Sequence, residues 1–193
     1  MTQTNLLKQV SNCVICEPDL PLGARPVIQH NSHARILIAG QAPGLKVHQT
    51  GKPFNDASGD RLRQWLGLTE SDFYDASKVA ILPMGFCYPG KGKSGDLPPR
   101  KECAPAWREQ LLAGLPNIEL TLVLGKYAQA YHLPQHKKMP LTELVKLWRE
   151  FWPAIMPLPH PSPRNNIWLS KNPWFEADVL PELKNRVAAI LAN

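Results

Sequence analysis

Four cysteines are the residues of this chain whose type and spacing most directly indicate chemistry. Cys13 and Cys16 form a C-x2-C pair, while Cys87 and Cys103 lie 16 positions apart in a connection rich in proline and glycine. Four thiolates can hold either a zinc ion or an iron–sulfur cluster, and the wide second spacing favours a cluster over a zinc ribbon. The alternative is that a chance C-x2-C motif accompanies two unrelated buried thiols.

Three other segments place unusual residues directly after apolar runs. Residues 41–54 contain glycines and prolines but no carboxylate, residues 85–100 contain two lysines, and residues 160–166 begin with the letters HPSP. In a parallel sheet the ligand crevice lies beyond the carboxyl ends of the strands. If the apolar runs are parallel strands, the three segments meet at one edge of the sheet.

The elements that must position these segments alternate between strand and helix. Apolar runs predict strands at residues 34–39, 78–84, 118–124 and 154–158. Apolar periodicity predicts helices at residues 58–68, 101–114, 125–132, 141–151 and 173–192. Strands that are apolar on both sides and alternate with helices predict an α/β fold. We expect a single three-layer αβα domain over residues 1–193, with a central, mostly parallel four-stranded sheet.

The composition limits the class of protein and of partner. The chain has 193 residues, of which 44% are hydrophobic, so it can bury the core of one domain. Its net charge of +6 is compatible with a polyanionic partner without requiring one. No apolar run approaches the length of a membrane span, and the first residues lack the pattern of a signal peptide. We therefore expect a cytoplasmic protein.

The order of the motifs resembles that of the uracil-DNA glycosylase superfamily over nearly the whole chain. GQAPG (residues 40–44) follows the first strand, TGKPF (50–54) and DASGD (56–60) lead into a helix, and HPSPRN (160–165) follows the last strand. The resemblance implies a hydrolase of base excision repair that cleaves the N-glycosidic bond of a flipped-out deaminated base. Uracil is the first candidate base, with hypoxanthine and xanthine next. The implied partner is single- or double-stranded DNA, and we expect a monomer that needs no membrane.

The cysteines resemble those of the iron–sulfur branches of this superfamily, in which one pair precedes the first strand and another follows the second. That likeness implies a 4Fe-4S cluster on Cys13, Cys16, Cys87 and Cys103, with zinc as the second choice. The other motifs mix features of several branches. Ala42 stands where the classical branch has its catalytic aspartate, and Pro83 lies near the position where several branches place an asparagine that reads the pyrimidine edge.

The mixture leaves two alternatives to a glycosylase. One is a catalytically weak or inactive iron–sulfur protein of the same fold that binds DNA and senses damage. The other is an iron–sulfur or zinc scaffold that acts on a small molecule.

The resemblance assigns catalytic roles to three residues. Asp56 is the candidate general base or stabiliser of the sugar cation, although an aspartate here could instead cap the helix that follows. His160 would donate a hydrogen bond to the base oxygen as negative charge develops, which a neutral imidazole can do. Gln41 could orient the base or a water molecule through its amide.

The remaining candidates bind the base or the DNA. Glycines let a backbone approach a flat base closely, and Phe54 would stack on that base. The expected base-binding residues are Gly40, Gln41, Ala42, Phe54 and His160. The expected DNA-binding residues are Ser162, Arg164, Asn165, Lys91 and Lys93. The structural alternatives are a plain tight turn after the strand, a core phenylalanine and an ordinary solvated basic loop.

Overall fold

The strands of the computed structural model, which describes residues 3–93 and 95–192, form two sheets. In chain order the strands are β1 (Ile36–Ala39), β2 (Val79–Ile81), β3 (Lys91–Gly92), β4 (Gly95–Asp96), β5 (Leu120–Leu124) and β6 (Ile155–Leu158). The expected domain limits, residues 1 and 193, lie outside the described residues.

The larger sheet has the strand order β2-β1-β5-β6, and every neighbouring pair in it is parallel. Ile38 in the central strand β1 pairs with Ile81 on one side and with Leu122 on the other. The prediction of an α/β fold with a parallel four-stranded sheet is therefore confirmed. Strands β3 and β4 form a separate antiparallel hairpin, paired from Lys91 to Asp96.

Helices surround the large sheet. They are α1 (Gln3–Ser11), α2 (Leu45–Thr50), α3 (Ala57–Leu66), α4 (Glu70–Tyr74), α5 (Glu109–Ala113), α6 (Gly125–His132), α7 (Leu141–Lys146), α8 (Asn166–Lys171) and α9 (Leu180–Ala192). Wide π-helical turns at Ala104–Arg108 and Phe175–Val179 lead into α5 and α9. Among the described residues, none of the helices is both long and apolar enough to cross a membrane.

The two faces of the sheet bury different clusters of side chains, which makes three layers. On one face, Ile36 and Ile38 pack in the cluster that contains Leu62 of α3 and Leu183 of α9. On the other face, Leu37 packs in a cluster that α1 and α5 complete. Alternate residues of a strand point to opposite faces, so a strand covered on both sides must be apolar throughout.

Two segments predicted to be loops contain regular structure. Residues 41–54 include helix α2, which ends where Gly51 adopts a left-handed conformation with φ 70°. Residues 85–100 include the β3–β4 hairpin. Helix α1 lies in a region for which the sequence predicted no element, and the helix expected at 141–151 leaves α-helical geometry after Lys146. These short elements depend on tertiary contacts more than on periodicity.

Candidate active site

A pocket of about 430 Å³ opens at the carboxyl ends of β1, β2 and β6. Its walls come from the three segments that sequence analysis singled out. The lining includes these predicted site residues: Gly40, Gln41, Ala42, Phe54, Asp56, His160, Ser162, Arg164 and Asn165. Lys91 and Lys93 are not part of the lining and are exposed on the hairpin. The volume lies in the range of small-molecule sites, which is sufficient for a single base.

The loop after β1 forms the pocket wall nearest the sheet. The carbonyl of Gly40 accepts a hydrogen bond from Met84 N at 2.9 Å, and that of Gln41 accepts one from Gly85 N at 3.0 Å. The side-chain amide of Gln41 donates to the carbonyl of Leu97 at 3.1 Å. Gln41 therefore joins the β1 loop to the segment that leaves the hairpin.

Phe54 belongs both to the pocket and to the edge of the core. A Cβ on Gly40 would lie 3.6 Å from Phe54 Cζ, so the ring rests against this glycine. The other side of the ring meets Phe73 edge-on, with the centroids 6.1 Å apart. Phe54 has a φ of 52°, which is uncommon for a residue with a side chain. Its carbonyl lies so close to Gly59 that a Cβ there would be 1.7 Å away.

Asp56 caps helix α3 and faces the pocket at the same time. Its Oδ1 accepts a hydrogen bond from Gly59 N at 3.0 Å. Its Oδ2 would lie 4.0 Å from a Cβ on Gly44 in the opposite wall. The two interpretations of this aspartate are therefore compatible, because one oxygen can serve the helix while the other serves a substrate.

His160 follows β6 in a loop that hydrogen bonds hold in place, one of them within the loop and one from helix α3. Its carbonyl accepts a hydrogen bond from Asn165 Nδ2 at 2.7 Å, and Arg61 Nη1 donates to the carbonyl of Ser162 at 3.1 Å. Burial lowers the pKa of His160, and the charges of Asp56 and Asp96 oppose that shift. The imidazole is therefore neutral at neutral pH and can donate one N–H into the pocket.

A family comparison agrees with this geometry. The family model of the uracil DNA glycosylase superfamily matches residues 28–184, which include the three pocket loops. The chain belongs to the uracil-DNA glycosylase superfamily. This superfamily points to a glycosylase hydrolase with DNA as its substrate. Cys87 and Cys103 lie within the matched residues, whereas Cys13 and Cys16 precede them, so the match does not bear on the metal.

Two basic residues, Arg100 and Arg164, contact other parts of the chain and are not freely solvated. Arg100, which the sequence places in the basic connection, pairs with Asp19 at 2.7 Å and with Glu102 at 3.0 Å. Arg164 lies against the hairpin, since a Cβ on Gly95 would be 2.5 Å from its Nη1. Arg100 is thus committed to ion pairs within the chain, and Arg164 braces the hairpin over the pocket.

Sequence analysis missed a carboxylate of the pocket. Asp96 lines the pocket from β4, although its position in a segment rich in glycine and lysine suggested only a solvated loop. The Ser-Gly pair that precedes it is a turn signal that could have predicted a hairpin. No sequence signal shows that the hairpin folds back over the pocket.

A second residue that sequence analysis missed, Arg108, makes hydrogen bonds to the residues that follow β2. It is fully buried, and its Nη1 donates to the carbonyls of Leu82 and Pro83 at 3.0 and 2.9 Å. Its Nη2 donates to His132 Nε2 at 2.7 Å, so that nitrogen must be unprotonated. The carbonyl of Pro83 therefore already accepts from Arg108, and Pro83 has no N–H and no side-chain donor with which to read a base.

The Arg108–His132 pair predicts a pH-dependent stability. Burial, and then the charge of Arg108, lower the pKa of His132 to about 3 from 6.5. An unfolded histidine gains a proton below pH 6.5, whereas the folded one resists it down to about pH 3, so stability falls as the pH falls through this window. The full difference between these two pKa values is worth about 5 kcal/mol. Urea unfolding between pH 7 and pH 4 should show a smaller loss for His132→Gln than for the wild type; equal losses would contradict the prediction.

All four cysteines line a second, smaller pocket. Trp107 Nε1 donates to Cys13 Sγ at 3.3 Å, and Phe86 N donates to Cys103 Sγ at 3.4 Å. The thiol of Cys16 donates to Glu102 Oε2 at 3.8 Å. Two of the four sulfurs, those of Cys13 and Cys103, thus accept a hydrogen bond from an N–H group.

Burial keeps the thiols of Cys16, Cys87 and Cys103 protonated, because it raises the pKa of each of them. Burial raises the pKa of Cys87 to about 11 and that of Cys103 to about 12. In residues 3–93 and 95–192, no group of three or more His, Cys, Asp or Glu side chains is arranged to hold a metal ion. A metal centre at this pocket therefore requires deprotonation of the thiols and some movement of their side chains.

Proposed function

We propose that this superfamily member is a DNA glycosylase that hydrolyses the N-glycosidic bond of a flipped-out deaminated base. Uracil is the first substrate to test, followed by hypoxanthine and xanthine. The observation that carries the proposal is the convergence of Phe54, Asp56 and His160 on one pocket at the carboxyl edge of the sheet. These three residues supply the stacking surface, the anion and the hydrogen-bond donor that the reaction needs.

The chemistry follows from the pocket walls. A flipped base would stack on the ring of Phe54, with the glycine backbone of the β1 loop close to its edge. As the bond from C1′ to the base nitrogen breaks, negative charge develops on the base oxygen and His160 donates a hydrogen bond to it. The free oxygen of Asp56 stabilises the positive charge on the sugar. A donor and an anion at these positions would act more strongly once bound DNA excludes water from the pocket.

Pro83, which follows β2, affects which bases the pocket can accept. Pro83 lines the pocket without a side-chain donor or an N–H, and its carbonyl already accepts from Arg108. Discrimination between bases is strong only when a site offers polar groups that the wrong base leaves unpaired. We therefore infer a relaxed selectivity that admits other deaminated bases beside uracil.

DNA would approach over the basic rim of the pocket. Ser162, Arg164 and Asn165 lie in the pocket wall, and Lys91 and Lys93 are exposed on the neighbouring hairpin. Cations at such a rim bind phosphates without reading sequence, so affinity should fall steeply with salt. We propose that these five residues bind the DNA strand and that the protein acts as a monomer.

The test is cleavage of oligonucleotides that each carry one uracil, hypoxanthine, xanthine or hydroxymethyluracil, read after alkali treatment. Cleavage by the wild type that Asp56→Asn abolishes supports the proposal. The second candidate is a damage-sensing protein without catalysis, which the absence of a carboxylate at Ala42 and the capping role of Asp56 favour. Salt-sensitive binding to damaged DNA with no cleavage of any substrate would decide for that alternative.

We also propose that Cys13, Cys16, Cys87 and Cys103 hold a 4Fe-4S cluster, with zinc as the less favoured occupant. The N–H donors at Cys13 and Cys103 fit a cluster, whose sulfur ligands accept such hydrogen bonds. The buried cation of Arg108 interacts electrostatically with Cys103, and no carboxylate of the described chain pairs with it. An anionic centre would compensate this charge. When bound, the cluster supplies structural order rather than a redox step.

Removal of a cysteine should remove the metal. Protein purified without oxygen should be brown and carry about four irons and four sulfides, and Cys103→Ala should lose most of both. Trp107→Phe is the matched control, because it deletes the donor to Cys13 Sγ and keeps all four thiols. We expect this control to retain its iron with a shifted reduction potential. A colourless wild type that holds one zinc ion would contradict the cluster.

A further inference from the structure

The β3–β4 hairpin is closed at its base by one hydrogen bond and contacts the pocket walls at two points. Leu97 N donates to the carbonyl of Gly90 at 2.8 Å, which closes the base of the hairpin. The amide of Gln41 donates to the carbonyl of Leu97, and the guanidinium of Arg164 lies against Gly95. The hairpin therefore has a defined position relative to the pocket walls, and so does the residue that follows Gly95.

That residue, Asp96, directs its carboxylate toward the same glycine as Asp56 does. A Cβ on Gly44 would lie 3.6 Å from Asp96 Oδ2 and 4.0 Å from Asp56 Oδ2. Both aspartates also interact electrostatically with His160. Two carboxylates and one imidazole thus face the same part of the pocket.

The two carboxylates differ in the hydrogen bonds that they accept from the protein. Asp56 Oδ1 accepts the cap hydrogen bond from Gly59. In the described chain, the Asp96 carboxylate has no hydrogen bond or ion pair. Lys91 pairs with Asp96 across the hairpin but makes no salt bridge with it. An exposed carboxylate without a partner can accept hydrogen bonds from a water molecule in the pocket.

We propose that Asp96 is a catalytic residue that orients the attacking water and takes up its proton, while Asp56 stabilises the sugar cation. This division of roles rests on the proposed glycosylase function. In the step, an O–H bond of water breaks and its proton goes to the Asp96 carboxylate. The water oxygen bonds to C1′, the bond from C1′ to the base nitrogen breaks, and its electron pair leaves with the base. His160 donates its hydrogen bond to the departing anion.

Single-turnover rates on the substrate that the wild type cleaves fastest test this role. General bases typically contribute at least about 100-fold, so Asp96→Asn should lower the rate by about that factor. Its affinity for uncleaved DNA should stay equal or rise, because a negative charge near the phosphates is removed. Asp96→Glu, which keeps the carboxylate, should recover part of the rate. Asp178→Asn, at an exposed position outside the pocket, is the matched control and should react like the wild type.

Other outcomes overturn the assignment. A rate for Asp96→Asn within about threefold of the wild type, or above it, would mean that Asp96 only limits the approach of DNA. A rate loss that saturating DNA restores would mean that the carboxylate positions the hairpin for binding. Failure of the wild type on every substrate would refute the glycosylase function itself and is recognisable before any variant is made.

Discussion

Replacement of His160 by alanine should lower the single-turnover rate of base release by about 100- to 1,000-fold, the cost of deleting one donor to a developing oxyanion. The imidazole lines the pocket opposite the free oxygen of Asp56, and burial lowers its pKa so that it is neutral at neutral pH. The rate should therefore not fall as the pH rises through 6.5, the ordinary pKa of histidine. The measurement is base release from a saturated oligonucleotide complex between pH 6 and pH 9.

A conservative variant separates the chemical role from a structural one. His160→Gln keeps an N–H donor and should retain more activity than His160→Ala, while both should bind DNA as the wild type does. An alanine variant that releases the base at the wild-type rate would exclude His160 from the reaction. A loss of DNA affinity equal to the loss of rate would mean that the residue shapes the loop and nothing more.

Substitution of Gly59 by alanine should destabilise the protein by at least about 3 kcal/mol, because a Cβ at this position would lie 1.7 Å from the carbonyl oxygen of Phe54. The obstacle is backbone, so no side-chain rotation relieves it. The hydrogen bond from Tyr74 to the carbonyl of Pro53 holds the same segment in place. The measurement is urea unfolding, and we expect base cleavage to be lost together with stability.

The matched control is Gly40→Ala. A Cβ there would meet Phe54 Cζ at 3.6 Å, an ordinary contact, so the free energy of unfolding should change by less than about 1 kcal/mol. Equal stability of the two variants would show that the segment around Phe54 can move away from α3 at little cost. The Phe54 ring could then not be a fixed stacking surface.

The strands and longer helices could be predicted because the apolar pattern of each one lies within its own residues. The expected helix at 125–132 agrees at both ends with α6, since the apolar run of β5 leads directly into it. The helix predicted at 173–192 contains α9, in which Leu183, Val187 and Ile190 are almost fully buried. Helix α2 and the β3–β4 hairpin were missed because segments of this length have little structure of their own and form on the rest of the fold.

We could predict that the three loops would meet, because parallel strands bring their carboxyl ends to one edge of the sheet. Phe54, Asp56 and His160 accordingly line one pocket, although their chemical roles remain predictions. The same rule could not find Asp96, which reaches the pocket through the tertiary contacts of Gln41 and Arg164. Nor could it find Arg108, because an arginine in a helical pattern is usually exposed.

Arg108 holds a residue of the pocket wall without belonging to that wall. Its guanidinium donates to the carbonyl of Pro83, which lines the pocket, and to His132 of α6, which does not. A change at His132 would remove one partner of this guanidinium and leave every lining residue in place. A comparison of lining sequences alone would therefore overlook residues on which the position of Pro83 depends.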